Sequence, residues 1–74
     1  MAKFPDRLWS LRTAANMTQS ELADTINASR RAVIKWESGQ AQPTCNSIIA
    51  LAVLFHVSTD FLLGLTDQMQ QYGS

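Results

Sequence analysis

Apolar residues recur every three to four positions along the chain, in short stretches separated by polar turns. That spacing is the period of an amphipathic α-helix, and no stretch alternates strictly as a β-strand does. The pattern predicts an all-α fold of five helices, at about residues 5–15, 19–26, 30–38, 45–55 and 59–63. The residues expected to form the core are Leu8, Leu11, Leu22, Ala23, Ile26, Val33, Trp36, Ile48, Leu51, Ala52, Phe55, Val57, Phe61 and Leu62.

Polar residues mark where the predicted helices start and stop. A hydroxyl that can accept a hydrogen bond from a first-turn N–H precedes four of them, at Thr18, Ser29, Thr44 and Ser58. Thr18 and Glu21 also have the spacing of a capping box. Residue types that tolerate the left-handed backbone conformation stand at the predicted ends, Asn16, Asn27, Gly39, His56 and Gly64.

The chain has 74 residues, which limits it to one domain. We expect that domain at residues 1–65, followed by a polar tail at 66–74. Leu65, Met69 and Tyr72 share a face of the tail, which would either extend a dimer contact or cover the domain. No apolar run approaches the roughly 18 residues of a membrane span, and no signal peptide is evident, so a cytoplasmic protein is the simplest interpretation.

Residue types that catalyse reactions or bind metals form no readable motif. Cys45 is the only cysteine and His56 the only histidine. Paired carboxylates, a Ser–His–Asp set, metal-ligand spacing and a glycine-rich phosphate loop are all missing from the sequence. We therefore expect neither an enzyme nor a cofactor or metal site. Binding to nucleic acid or to protein remains.

The net charge of zero hides an uneven distribution of charge. Residues 1–35 contain all six basic residues and three of the six acidic ones, whereas residues 36–74 contain no Lys or Arg. A neutral average argues against avid binding of nucleic acid. The basic first half leaves that function open.

The link between the second and third predicted helices is only three residues long, Asn27 to Ser29. Because the link is too short to let the two helices run antiparallel, they must cross steeply. The small side chain of Ala23 suits the contact between them. This is the arrangement of a helix-turn-helix, whose second helix enters the major groove of DNA. An ordinary αα corner has the same spacing, and the spacing alone does not distinguish the two.

The third helix has a polar face with an unusual composition. If Val33 and Trp36 point inward, the outward face consists of Arg30, Arg31, Ile34, Lys35 and Ser38. Arginine and lysine can donate to guanine, and isoleucine can cover a thymine methyl group. A solvated basic face is the alternative. Two arginines in the first turn oppose the helix dipole, which favours an anionic partner.

Residues 18–39, TQSELADTINASRRAVIKWESG, are followed by QPT and by IIALAVLFHVSTDFLLG. Together these segments resemble the lambda-repressor-like, Cro-type helix-turn-helix family, often named XRE-type, over about residues 5–64. The resemblance implies a compact five-helix domain with its helix-turn-helix at helices two and three. It also implies sequence-specific binding of double-stranded DNA by a bacterial or phage repressor that acts as a homodimer.

The resemblance implies roles for individual residues. Gln19 would bond a phosphate and brace the start of the third helix, while Ser29 and Ile34 would lie beside the DNA backbone or a base methyl. Arg12 and Glu37 match a largely buried ion pair of the family. The positions that match base-reading side chains are Arg30, Arg31 and Lys35.

The loop after Gly39 departs from the family pattern, in which it is often basic. Here it is uncharged, so phosphate contacts would come from Gln40 and Gln42, from backbone N–H groups and from the start of the fourth helix. With so few cations, we expect only about two to four phosphate charges to be neutralised per subunit, and a shallow salt dependence.

A second function fits part of the sequence. The neutral net charge, the uncharged loop, Trp9 and the apolar tail face suit a protein-interaction module, such as an antitoxin or adaptor with the same fold. A stoichiometric protein partner, without salt-sensitive DNA binding, would distinguish this function from the first.

Overall fold

The computed structural model describes residues 3–69, which form five α-helices. They are α1 (Phe4–Ala14), α2 (Gln19–Thr25), α3 (Arg30–Ser38), α4 (Cys45–Phe55) and α5 (Thr59–Leu62). The all-α class is confirmed, and each helix begins and ends within one residue of its predicted bound. None of these helices combines the length and apolarity needed to cross a membrane.

The helix ends are determined by local hydrogen bonds. Thr18 and Glu21 form the predicted capping box, with bonds of 3.0 Å from the Glu21 N–H to the Thr18 hydroxyl and 2.8 Å from the Thr18 N–H to the Glu21 carboxylate. The hydroxyls of Ser29, Thr44 and Ser58 accept first-turn N–H groups in the same way. All five predicted stop residues have positive φ, namely Asn16, Asn27, Gly39, His56 and Gly64.

The core lies between the helices and consists almost entirely of aliphatic side chains and one tryptophan. Its fully buried large members are Leu8, Leu22, Val33, Leu51, Val57 and Leu62. The other predicted core residues are buried or pack partly buried against this cluster. The apolar periodicity therefore identified the inward faces correctly, because burying those faces is the main driving force for folding a domain of this size.

Helices α2 and α3 pack directly on one another around Ala23, whose side chain is 1% exposed. The short turn is closed by a 2.8 Å bond from the Ala28 N–H to the Ala23 carbonyl. Helix α3 also packs against α1. One face of α3 is thus held by two helices and the opposite face is left exposed.

The segment after α5 contacts the helices through a residue that the sequence did not single out. Arg7 is buried, its guanidinium lies 3.9 Å from the centroid of the Phe61 ring, and it donates a 2.6 Å bond to Asp67. The Ser58 N–H also donates to the Met69 carbonyl at 3.2 Å. Asp67 and Met69 of the predicted tail therefore bond to α1 and to the N-cap residue of α5.

Leu65 and Met69 of the predicted tail face are 69% and 51% exposed. Tyr72, the third residue of that face, lies outside the described residues, as does the rest of the tail from residue 70.

Candidate nucleic-acid interface

Helix α3 is anchored by its inward side chains. Val33 is fully buried and Trp36 is 6% exposed, so both belong to the core. They are three residues apart, which places them on one side of the helix and turns the remaining positions outward. The orientation of α3 is therefore set by tight apolar packing.

The outward face of α3 contains the residues predicted to lie there. Arg30, Arg31, Lys35 and Ser38 are exposed, and Ile34 is 36% exposed. The first turn contains no acidic residue. The two arginines therefore stand beside the positive end of the helix dipole without a compensating carboxylate, a placement that an anionic ligand would stabilise.

Two serines stand at the ends of α3, and only one of them has a hydroxyl hydrogen free to donate to a ligand. The Ser29 hydroxyl accepts from the Ala32 N–H at 3.0 Å, which leaves its own hydrogen able to donate to an outside acceptor. The Ser38 hydroxyl donates to the Lys35 carbonyl at 3.1 Å, so it presents lone pairs instead. Ser29 is thus the better suited of the two to contact a phosphate oxygen.

A buried ion pair holds α3 to α1. Arg12 donates to both oxygens of Glu37, from Nε at 2.6 Å and from Nη2 at 3.0 Å, and the two side chains are 12% and 6% exposed. A third bond runs from Arg12 Nη1 to the Met17 carbonyl at 2.8 Å. The hydrogen bond and the charge of Glu37 raise the pKa of Arg12 above its ordinary value, although burial opposes this.

Gln19 extends the same network from the first residue of α2. Its Nε2 donates to Glu37 Oε1 at 3.2 Å. The Glu37 carboxylate therefore accepts hydrogen bonds from both α1 and α2. The bond is made near the end of α3, whereas the resemblance implied bracing at its start. Gln19 is half-buried, and it lies beside the turn that leads into the helix-turn-helix.

The loop after α3 turns sharply at Gly39, which has φ of 78°. The Gln40 N–H donates back to the Lys35 carbonyl at 2.9 Å, which keeps the loop close to the end of the helix. Gln40 and Gln42 are both exposed. The structure therefore brings these two amides to the same end of α3 as Lys35 and Ser38.

Most of the basic residues either form an ion pair or lie on α3. Arg7 and Arg12 are engaged in the two ion pairs found within residues 3–69. The three basic residues of α3 take part in neither pair, and they lie together on the exposed face of that helix. This concentration of uncompensated positive charge is the chemical property of the face that a polyanion would recognise.

Sequence reasoning missed the structural role of Arg7. It lies one helical turn before Leu11, on a side of α1 that packs inward, and this spacing was the only available signal. The partner of Arg7 is sixty positions away in the sequence, so no local pattern could have indicated the pair.

Comparison with known proteins gives a consistent result. A family model described as helix-turn-helix matches residues 10–62. The HTH-type transcriptional activator BcrR of Enterococcus faecalis is 41% identical over 61 residues, which are 82% of this chain and 30% of that protein. The CTXphi transcriptional repressor RstR of Vibrio cholerae is 37% identical over 71 residues, or 93% of this chain and 63% of that protein.

The fold has a close structural counterpart in the P22 c2 repressor, whose crystal structure was determined in complex with a synthetic operator. The TM-score is 0.80 at 24% sequence identity, and the match covers 85% of this chain and 96% of that one. The chain spans less than two thirds of the length of the two regulators named above. With its five helices and its matched segment, the chain belongs to the lambda-repressor-like, Cro-type helix-turn-helix family.

Proposed function

We propose that the protein is a sequence-specific regulator of transcription, most simply a bacterial or phage repressor, that binds double-stranded DNA through α3. The observation that carries the proposal is the outward face of α3, where three basic residues without ion pairs surround a partly exposed isoleucine. Two arginines near the positive end of the helix dipole carry a mild local cost, which an anionic partner would offset. The proposed site of action is the cytoplasm, and no catalysis is involved.

We propose roles for the side chains of this face and of its surroundings. In the major groove, an arginine can donate two bonds to guanine O6 and N7, and a lysine can donate to a guanine or to a phosphate. Ile34 would cover the methyl group of a thymine. The polar residues around α3 would donate to phosphates, namely Ser29, Gln19, Gln40 and Gln42. Such phosphate contacts would fix the register of the helix on the duplex.

The family relationships support the same function. The two curated relatives named above regulate transcription, one as an activator and one as a repressor. We infer that the domain shared with these regulators is the part that recognises DNA.

We further propose that the protein binds DNA as a homodimer. Helix-turn-helix dimers place two recognition helices in half-sites about 34 Å apart. Helix α4 exposes Ile49 and Val53, which are 55% and 63% exposed and lie one turn apart, beside a groove that is also lined by Val57 and Asp60. Two such apolar faces can pack on each other about a two-fold axis.

Selection of binders from a random pool of duplexes tests DNA recognition directly. We expect enrichment of one motif that consists of two inverted half-sites. Recovery of no motif, together with no salt-dependent binding of any duplex, would contradict the proposed function. In that event, a stoichiometric protein partner would favour the interaction-module function instead.

The homodimer is tested by the substitutions Ile49→Asp and Val53→Asp, measured by sedimentation with and without DNA. We expect these variants to bind a single half-site as the wild type does, and to lose about tenfold or more in affinity for the paired site. Unchanged assembly on the paired site would place the contact between subunits elsewhere.

A further inference from the structure

We propose that Lys3, at the start of α1, is an additional phosphate-binding residue that extends the basic face beyond the end of α3. This inference rests on the proposed DNA-binding function and names a contact outside the helix-turn-helix. It also identifies a source for the positive charge that the loop at residues 40–42 lacks.

The start of α1 lies against the end of α3. A Cβ atom placed on Gly39 would be 3.9 Å from Pro5 Cγ, which is ordinary contact distance. Lys3 and Pro5 line one surface groove together with Gly39, Gln42 and Pro43. Lys3 therefore borders the same loop whose amides were assigned to phosphate contacts, although it is 36 positions before Gly39 in the sequence.

The ammonium group of Lys3 is available for an external partner. The residue is exposed, and its side chain makes no capping bond although it occupies the N-cap position of α1. Its carbonyl accepts the Arg7 N–H at 3.0 Å, so the backbone is held while the side chain projects. Neither ion pair within residues 3–69 involves Lys3.

The charge inventory singles out this residue. Four of the six basic residues are left after the two ion pairs are removed, and three of those four are on α3. Lys3 is the fourth, and it lies at the end of α3 opposite to Arg30. Within residues 3–69, the basic residues that form no ion pair therefore lie on α3 and beside its C-terminal end.

The length of α3 is close to the width of the major groove. The nine residues of α3 span about 13 Å at 1.5 Å per residue. The groove is about 12 Å wide between its phosphate backbones. With α3 in the groove as proposed, a cation beyond the end of the helix would be near the edge of the groove, where phosphates are within reach. Lys3 should consequently add affinity without adding sequence preference.

The experiment compares binding of the wild type, Lys3→Gln and Lys3→Arg to the selected duplex over a series of salt concentrations. Gln68→Glu is the matched control, because it lowers the net charge by the same amount at an exposed position outside the groove. Thermal unfolding of each variant checks that α1 is intact.

For Lys3→Gln, we expect binding to all duplexes to weaken by a similar factor. The slope of log K against log salt, which is negative, should become shallower by about one. Lys3→Arg should retain both properties, and Gln68→Glu should keep the wild-type slope. A wild-type slope for Lys3→Gln, or a loss confined to particular base pairs, overturns the assignment to phosphate. If the wild type binds no duplex, the proposed function itself fails, so the two failures are distinguishable.

Discussion

Arg12 donates two hydrogen bonds to the Glu37 carboxylate, at 2.6 and 3.0 Å, and thereby joins α1 to the end of α3. Both side chains are almost completely removed from water. A buried pair of this kind is a means of fixing geometry more than a source of net stability, because desolvation of the two charges offsets much of their attraction.

Removal of either partner alone should be strongly destabilising. We expect Arg12→Met and Glu37→Met each to lower the free energy of unfolding by about 3–5 kcal/mol, since the remaining charge is left buried without its partner. The double variant should recover part of that loss. Urea denaturation of the four proteins measures the coupling, with Arg31→Ala as an exposed control that changes stability by less than about 0.5 kcal/mol. Additive losses in the double variant would show that the pair is not coupled.

Truncation of the exposed basic residues of α3 should weaken DNA binding and leave folding stability nearly unchanged. Arg31→Ala and Lys35→Ala are expected to leave the unfolding free energy nearly unchanged and to weaken binding of the selected site by about 1–3 kcal/mol, with relaxed base preference. Binding to the selected site and to single-base variants of it measures both effects. If both variants bound the selected site as tightly as the wild type, the assignment of these residues to base reading would be wrong.

Ile34 offers a test of an apolar contact. Replacement of thymine by uracil at the contacted position removes one methyl group, which should cost the wild type up to about 0.8 kcal/mol if that group is buried against the isoleucine. In Ile34→Ala the same base change should cost much less. Scanning each thymine of the selected site in both proteins identifies the contacted position. Equal uracil effects in the two proteins at every position would exclude the contact.

In the contact between Arg7 and the segment after α5, Arg7 should contribute more to folding stability than Asp67 does. Asp67 has a side chain that is 75% exposed, so Asp67→Asn is expected to cost less than about 1 kcal/mol. Arg7→Ala removes in addition the packing of a buried side chain and its cation–π contact with Phe61, and should cost about 1–3 kcal/mol. Urea denaturation compares the two variants, and equal losses would contradict the division of roles.

The features that could be predicted from the sequence are those with local causes. The capping hydroxyls and the residues of positive φ act within a few positions of themselves, so Thr18 and His56 revealed helix bounds directly. Apolar spacing identified the inward side of each helix, including Val33 and Trp36. The outward face of α3 followed from that assignment, because a helix with a fixed inward side has a fixed outward side.

The features that could not be predicted depend on contacts between distant segments. Nothing near Arg7 indicates that its partners would be Phe61 and Asp67. The position of Lys3 beside Gly39 likewise results from the way α1 crosses the end of α3. Gln19 was expected at the start of α3 and bonds instead to Glu37, because the direction of a side chain from α2 depends on how the two helices pack.

The network around Glu37 has a consequence for genetics. Its carboxylate is shared by Arg12 and Gln19, and Glu37 itself is almost buried. A random mutagenesis screen for loss of the proposed DNA binding should therefore collect two classes of allele from this nine-residue helix. Alleles at the arginines would yield abundant but inactive protein, whereas alleles at Glu37 would be recovered as poorly accumulating, temperature-sensitive mutants.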